Sequence, residues 1–250
     1  MKNSSQILNN TIIMKKNLIY PIVMLLIAIT SQHALAQENQ KSASGSLKSK
    51  PISLAAFKHC DIGNPSIAGT DKITATGVDI IAGGADVWGV KDEFNFVYIE
   101  RSGDFDIACR VENLTPANLY TKAGLMARED LSASCRHIFF QVFADNNPRN
   151  KNNGGYEYQY RQVKDSSMKA IYPKSSEGAP EFPVKYPNTW IRLQRINNDF
   201  TGFYSTDGKI WKAYTTHKID LPPKIYIGLA VTAHNTSHNA SARFRNISEL

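Results

Sequence analysis

Hydrophobic and polar residues alternate one for one through much of the chain after residue 90. The alternation is clearest in five short stretches, and a near-continuous apolar stretch follows them: 94–99, 105–111, 138–142, 156–161 and 191–195, then 225–232. Successive side chains of a β-strand point to opposite faces, so a period of two predicts strands with one face in a core. No convincing amphipathic helix follows residue 36.

Short clusters of Gly, Asn, Asp and Pro separate these stretches. They occur at 101–104, 145–155, 197–199 and 207–208. Asn and Gly accept the positive φ of tight hairpins, so each cluster predicts a reversal between antiparallel strands. Many short strands at regular spacing predict an all-β fold of the sandwich or barrel type.

The first 36 residues have the pattern of a secretory signal peptide. Lys15 and Lys16 precede the apolar stretch 18–30, and the small-residue site 34–36 predicts cleavage after Ala36. The apolar stretch is shorter than the ~20 residues of a membrane-spanning helix. We therefore expect a secreted or periplasmic protein with no membrane segment after cleavage, whether translation starts at Met1 or at Met14.

The remaining chain divides into a polar leader, 37–53, and one domain, 54–250. Without the three lysines of residues 1–36, the formal net charge falls from +7 to +4, and no basic run stands out. Nucleic acid is therefore not an expected partner. Three cysteines allow at most one disulfide, and Cys109 falls in an apolar strand pattern typical of a small core residue.

Four stretches, in order along the chain, carry a family resemblance. They are Gly83–Gly89 with the following Phe94–Tyr98, Lys122–Glu129, Trp190–Arg195 with Phe200–Trp211, and Ile227–Asn235 closing with Ala242–Asn246. This order resembles the laminin-G-like jelly-roll domains of secreted bacterial proteins, within the concanavalin A-like lectin/glucanase superfamily. The resemblance covers roughly residues 58–250 and implies an all-β, two-sheet antiparallel jelly-roll sandwich. In the third stretch we expect Trp190, Leu193, Phe203 and Trp211 to pack structurally, the first three within the core.

The resemblance also implies a concave sheet face that presents polar and aromatic residues to a glycan. Sugars need flat rings for stacking and paired donors and acceptors for their hydroxyls. The candidate ligand-binding residues are Trp88, Arg128, Glu129, His137, Gln141, Glu157, Gln159, Arg161 and Asn235. A solvated sheet face would show the same polar rows. The expected partner is a polysaccharide or oligosaccharide, with the sugar and the oligomeric state left open.

Two other functions stay open beside a noncatalytic carbohydrate-binding module. A glycosidase needs two carboxylates, and the Glu-x-Asp-x-x-Glu motif of glucanases with this fold is absent, which leaves only a cross-strand pair of Glu129 and Glu157. Laminin-G-like domains also serve as protein-interaction modules. No cofactor is expected, although related folds hold structural calcium, for which Asp61, Asp86 and Asp104 are loop carboxylates.

Overall fold

The computed structural model describes residues 49–147, 153–172 and 180–250, which fold almost wholly as β-strands. In chain order the strands are β1 Lys50–Pro51, β2 Lys58–Ile62, β3 Thr70–Thr74, β4 Gly77–Ala82, β5 Val87–Trp88, β6 Lys91–Asp92, β7 Phe94–Ser102, β8 Phe105–Thr115, β9 Lys122–Arg128, β10 His137–Val142, β11 Tyr156–Arg161, β12 Lys169–Ile171, β13 Thr189–Ile196, β14 Asp199–Ser205, β15 Lys212–Lys218, β16 Lys224–Thr232 and β17 Ala240–Glu249, with a 3₁₀ turn at Leu54–Ala56.

Two antiparallel sheets contain nearly all of these strands. Sheet A has the order β15-β14-β13-β8-β17-β4-β3, with β1 beside β17, and sheet B has the order β12-β11-β10-β9-β16-β7-β2. The chain passes from sheet B to sheet A four times, after β2, β7, β12 and β16, while β5 and β6 form a separate hairpin. The predicted all-β, two-sheet antiparallel jelly-roll sandwich is confirmed.

The main core lies between the two sheets, and the two-residue alternation identifies its side chains. Ile107 and Cys109 of β8, Phe140 of β10, Leu193 of β13 and Ile227 of β16 all belong to it and are almost fully buried. Burial of apolar area at about 25 cal/mol per Å² is the main stabilising contribution in such a core. Cys109 is the small core residue that the pattern predicts, and the three cysteines are free thiols.

In the third family stretch, two side chains point to a different face of the sheet from the predicted one. Leu193 points into the core, so its strand neighbours Trp190 and Arg192 point outward. Phe203 lies opposite Arg192, whose guanidinium carbon is 4.3 Å from the Phe203 ring centroid and 5.8 Å from that of Trp211. The prediction that Trp190 and Phe203 pack within the core is therefore wrong. They are half-buried residues of the outer face of sheet A.

The folded domain begins slightly before the predicted boundary at residue 54. Lys50 and Pro51 pair with Glu249 and Ser248 of β17, and Ile52 packs against the main core. The predicted signal peptide and most of the polar leader lie outside the described residues. Within the described ranges, no helix is both long enough and apolar enough to cross a membrane.

Sheet B is buried on both faces, unlike sheet A. Its outer face carries a second apolar cluster that includes Phe94, Phe96, Met126 and Phe139, all with no exposed surface. The β5–β6 hairpin and the connections 129–136 and 162–168 contribute residues that pack against this cluster, including Met168. These segments cover part of the sheet face on which the family resemblance implies a ligand groove.

Candidate functional site: a pocket on sheet B

Three cross-strand rows organise the outer face of sheet B. The antiparallel register of β9, β10 and β11 places residues in line across the three strands, and rows two residues apart along a strand are about 7 Å apart. The first row is Gly124, Gln141 and Glu157; the second is Met126, Phe139 and Gln159; the third is Arg128, His137 and Arg161. The predicted residues on these strands do share one face.

The third row is closed off by the β5–β6 hairpin through Asp92. Arg161 donates two hydrogen bonds to this carboxylate, from Nη1 to Oδ2 at 2.8 Å and from Nη2 to Oδ1 at 2.6 Å. Arg161 Nη2 also donates to the Gly89 carbonyl at 3.1 Å. Such a bidentate pair fixes geometry as well as adding energy, so it holds the hairpin down on the sheet.

Arg128 anchors a second covering segment, the connection 129–136. Its Nε donates to the Asp130 carbonyl at 2.7 Å, and its Nη2 donates to the Ser132 carbonyl at 2.6 Å. The guanidinium carbon lies 5.1 Å from the Phe94 ring centroid, and Nη2 is 3.8 Å from Asp92 Oδ2. Both arginines of the row are thus hydrogen-bonded to protein groups that lie over the sheet.

His137 completes the third row as a neutral side chain. Its Nδ1 lies 3.1 Å from the Cys135 carbonyl and 3.6 Å from Asp92 Oδ2. Burial lowers the pKa of His137 to about 4; the Asp92 carboxylate opposes the shift, while the charges of Arg128 and Arg161 add to it. The ring is therefore uncharged at neutral pH.

This buried histidine predicts a specific pH dependence of stability. The unfolded chain takes up a proton near pH 6.5 while the folded chain does so only near pH 4, so the contribution is full above pH 6.5 and is lost as the pH falls towards 4. Between pH 7 and pH 5 we expect the free energy of unfolding to drop by about 2 kcal/mol on this account. Urea denaturation of the wild type and of His137→Asn at both pH values measures it. An equal drop in both proteins would contradict the assignment.

Arg128, His137 and Arg161 are brought together as predicted, but none of them has any exposed surface. A ligand could touch them only if the covering segments opened. Their arrangement fits a structural role, because it fastens the hairpin and the 129–136 connection over the sheet.

Glu157 of the first row and Gln159 of the second row line instead a pocket of about 280 Å³. Its walls come from four separate connections, and its floor comes from strand β11. The lining residues are Asp86, Trp88, Tyr120 and Lys122, then Glu157, Gln159, Tyr172 and His234. Three of the nine predicted ligand residues, Trp88, Glu157 and Gln159, therefore line one cavity.

The floor of the pocket is centred on the Glu157 carboxylate. Gln141 Nε2 donates to Glu157 Oε1 at 2.9 Å, and Gln159 Nε2 donates to the same oxygen. Burial, followed by the charge of Glu157, raises the pKa of Tyr172. The buried Oε1 atoms of Gln141 and Gln159 have no hydrogen-bond partner among the described residues, and of these two residues Gln159 lines the pocket.

Gly124 of the first row allows β10 to approach closely. A Cβ on Gly124 would lie 2.2 Å from the Phe140 carbonyl oxygen and 2.6 Å from Gln141 Cα, which are backbone atoms that cannot rotate away. A side chain at this position would displace Gln141 and, with it, the amide that holds Glu157.

One wall of the pocket is a charged group around Asp86. Lys122 Nζ pairs with Asp86 Oδ1, and His234 Nδ1 lies 3.0 Å from Asp86 Oδ2. His234 is held there by a left-handed backbone, with φ of 51°. Burial alone would raise the pKa of Asp86, but His234 and Lys122 together hold it below its ordinary value, so the carboxylate is ionised at neutral pH.

Two partly exposed aromatic rings stand at the mouth of the pocket. Trp88 is 43% exposed and Tyr120 is 38% exposed, although both are large side chains. Lys122 Nζ lies 5.9 Å from the Trp88 ring centroid, and the Tyr120 ring centroid is 5.4 Å from that of His234. Exposed rings beside polar groups are typical of ligand-binding surfaces.

Asn235 does not line the pocket but ties its walls together. Its Nδ2 donates to the Ala117 carbonyl at 3.3 Å, in the connection that carries Tyr120, and its backbone N–H donates to the Gly84 carbonyl at 3.1 Å. Direct contact of Asn235 with a ligand stays a prediction. Its two hydrogen bonds hold the pocket walls in position.

Glu129 lies away from Glu157, which argues against the cross-strand carboxylate pair left open as an alternative. Glu157 is in register with Gly124, whereas Glu129 follows the end of β9, about 17 Å along the chain direction from Gly124. Paired glycosidase carboxylates are only roughly 5–9.5 Å apart. Glu129 instead accepts two hydrogen bonds of 2.8 Å from Arg136, outside the pocket.

The three candidate calcium ligands are also separated. Asp61 accepts from the Gly69 N–H and from Asn95, near the start of β7, whereas Asp104 accepts from the Asn197 N–H beyond the other end of that strand. Asp86 belongs to the pocket wall. In the part of the chain that the structure describes, no three His, Cys, Asp or Glu side chains come together as a metal site.

The sequence did not identify Tyr120, Lys122 or Tyr172 as candidate pocket residues, and it placed the polar cluster around His234 only in a loop beside the expected groove. All except Lys122 lie in connections between strands, where no period signals orientation. The contact of His234 with Asp86 depends on tertiary packing, which the sequence pattern does not show.

Comparisons with known proteins support the fold and are silent on the activity. No family model matches the chain, and no curated protein matches it. Among solved structures, a functionally unknown protein from Saccharomyces cerevisiae is 12% identical, with a TM-score of 0.57 over 80% of this chain and 98% of that one. At this identity the likeness concerns the fold alone.

Two looser matches carry carbohydrate-related names. Carbohydrate binding module CBM66 from Bacillus subtilis is 15% identical, with a TM-score of 0.48 over 78% of this chain and 96% of that one. The lectin UEA-II, complexed with galactose, is 8% identical, with a TM-score of 0.45 over 82% and 98%. The concanavalin A-like affiliation and the narrower laminin-G-like one both stay predictions.

Proposed function

We propose that this chain is an exported, noncatalytic carbohydrate-binding module whose ligand enters the pocket on sheet B. One observation carries the proposal: the half-exposed Trp88 and Tyr120 rings border a floor of hydrogen-bond acceptors around Glu157. A sugar ring has an apolar face that stacks on aromatic rings and hydroxyl groups that donate to such acceptors. Export rests on the signal-peptide pattern of residues 1–36.

The unpaired amide oxygen of Gln159, a residue of the pocket floor, supports this assignment. Buried acceptors in folded proteins nearly always have a donor, and the described residues supply none to this atom. A hydroxyl group of a bound sugar would supply such a donor. Because the Gln159 amide already donates to Glu157, its carbonyl end is fixed in direction before any ligand arrives.

A hydrolase has weaker support in the same pocket. Besides Glu157, the pocket holds the carboxylate of Asp86, but Lys122 and His234 already engage its two oxygens. A protein-interaction module would favour a dry apolar surface on this face, whereas the pocket is lined by charged and amide groups as well as by rings.

Retention on polysaccharides tests the proposal, with Glu157→Gln as the informative variant. The protein is run through gels containing soluble xylan, β-glucan, levan, dextran or galactomannan, and binding to any retained polymer is measured by titration calorimetry. Loss of a charged acceptor costs about 1.5–3 kcal/mol, so we expect roughly 10- to 100-fold weaker binding.

Glu129→Gln is the matched control, because it makes the same chemical change outside the pocket. It should bind like the wild type. Failure of every polymer to retain the wild type, or equal binding by both variants and the wild type, would contradict the proposed site. Release of reducing ends that Glu157→Gln abolishes would instead favour the hydrolase.

A further inference from the structure

The pocket is closed at one end along the strand direction, which restricts how a chain-like ligand can occupy it. Beyond the first row, the second-row residues Met126 and Phe139 have no exposed surface and pack beneath Val87 and Met168. The third row is sealed by the ion pair of Arg161 with Asp92. A polymer therefore has no path from the pocket across the third row.

Across the strands the pocket is bounded as well. Trp88 belongs to the β5–β6 hairpin, Tyr120 to the β8–β9 connection, Tyr172 follows β12 and His234 follows β16. These four side chains surround Glu157 and Gln159, which form the floor. The cavity of about 280 Å³ lies just below the roughly 300–1,000 Å³ of pockets that hold drug-sized ligands. That size suits one sugar unit.

The charges of the pocket further restrict that unit. Its lining holds the carboxylates of Asp86 and Glu157 and one ammonium, Lys122, which is already paired with Asp86. A uronic acid or a sulfated sugar would bring a further negative charge, with no unpaired lysine or arginine among the described lining residues to receive it. Like charges brought together in a partly buried site cost free energy.

We infer that the pocket binds the terminal unit of a saccharide chain, and that this unit carries no acidic group. The inference rests on the proposed function and specifies its ligand: the end of the chain enters, and the rest leaves through the mouth beside Trp88 and Tyr120. Binding sites on a polymer are then its chain ends and not its interior.

The test uses the neutral polymer that retains the wild type in the gel experiment. That polymer is shortened by partial acid hydrolysis, and calorimetry gives the number of protein molecules bound per gram at each average length. We expect this number to rise in direct proportion to the number of chain ends. A number that stays constant or falls as the chains shorten would overturn chain-end binding and leave the proposed function intact.

Competition by the free sugar unit gives a second, independent readout. A pocket for one unit should bind the monosaccharide, in its neutral form, within about tenfold of the oligosaccharide affinity. Affinity that grows steadily over four or more units would overturn the inference. So would stronger binding by the corresponding uronic acid. If no polymer or sugar binds the wild type at all, the proposed function fails, and chain-end binding fails with it.

Discussion

Asp92→Asn is expected to lower the free energy of unfolding by about 3–5 kcal/mol, more than any change at the protein surface. The carboxylate is fully buried and accepts two hydrogen bonds from Arg161, with Arg128 close by. Removing its charge leaves two buried guanidinium groups without an opposite charge, and arginine cannot escape by losing a proton. Urea denaturation monitored by tryptophan fluorescence measures the difference.

Glu181→Gln provides the matched control for this experiment. Glu181 also forms an ion pair, with Lys212 at 3.1 Å, but both side chains are about half exposed. Exposed pairs contribute about 0–1 kcal/mol. An Asp92→Asn protein that unfolds at the same urea concentration as Glu181→Gln would show that the buried cluster does not hold the covering hairpin in place.

Trp88→Ala is expected to weaken saccharide binding at least about 30-fold while leaving the fold intact. The indole is the largest exposed ring at the pocket mouth, and loss of a central tryptophan contact typically costs 2 kcal/mol or more. Because its exposed fraction is 43%, its removal takes little from the core. Calorimetry with the polymer that the wild type retains measures the affinity, and thermal unfolding reports the fold.

Trp211→Ala is the matched control, since Trp211 is a half-buried tryptophan that packs against Arg192 on sheet A. It should bind the polymer with unchanged affinity. If the two variants bind equally well, Trp88 is not a stacking platform, and the ligand must be held elsewhere.

The sandwich could be predicted from the sequence because its signals are local. Alternation assigns Ile107, Phe140 and Leu193 to one core, and the turn residues mark the reversals. Asn197 and Gly208, at two of the predicted turns, have φ of 55° and 70°. The same alternation places Trp190 and Leu193 on opposite faces, so core packing predicted for Trp190 and Phe203 from their size as large aromatic residues is wrong.

The candidate site could be predicted only in part, because burial on the outer face depends on distant contacts. The sequence correctly grouped Arg128, His137 and Arg161 on one face, since their strands are consecutive. Their burial comes from Asp92, which is 69 residues before Arg161 in the chain. No strand period carries that information.

The residues around the pocket mouth are not part of the core. Ligand preference can therefore change without a change in folding stability. The side chains around the mouth come from the β5–β6 hairpin and from three connections, whereas the floor is part of a strand paired on both sides. Exchanges at those positions would reshape the opening and alter which sugars fit, while the core between the two sheets is unchanged. A library confined to positions 88, 120, 172 and 234 would therefore yield variants of changed preference and nearly constant melting temperature.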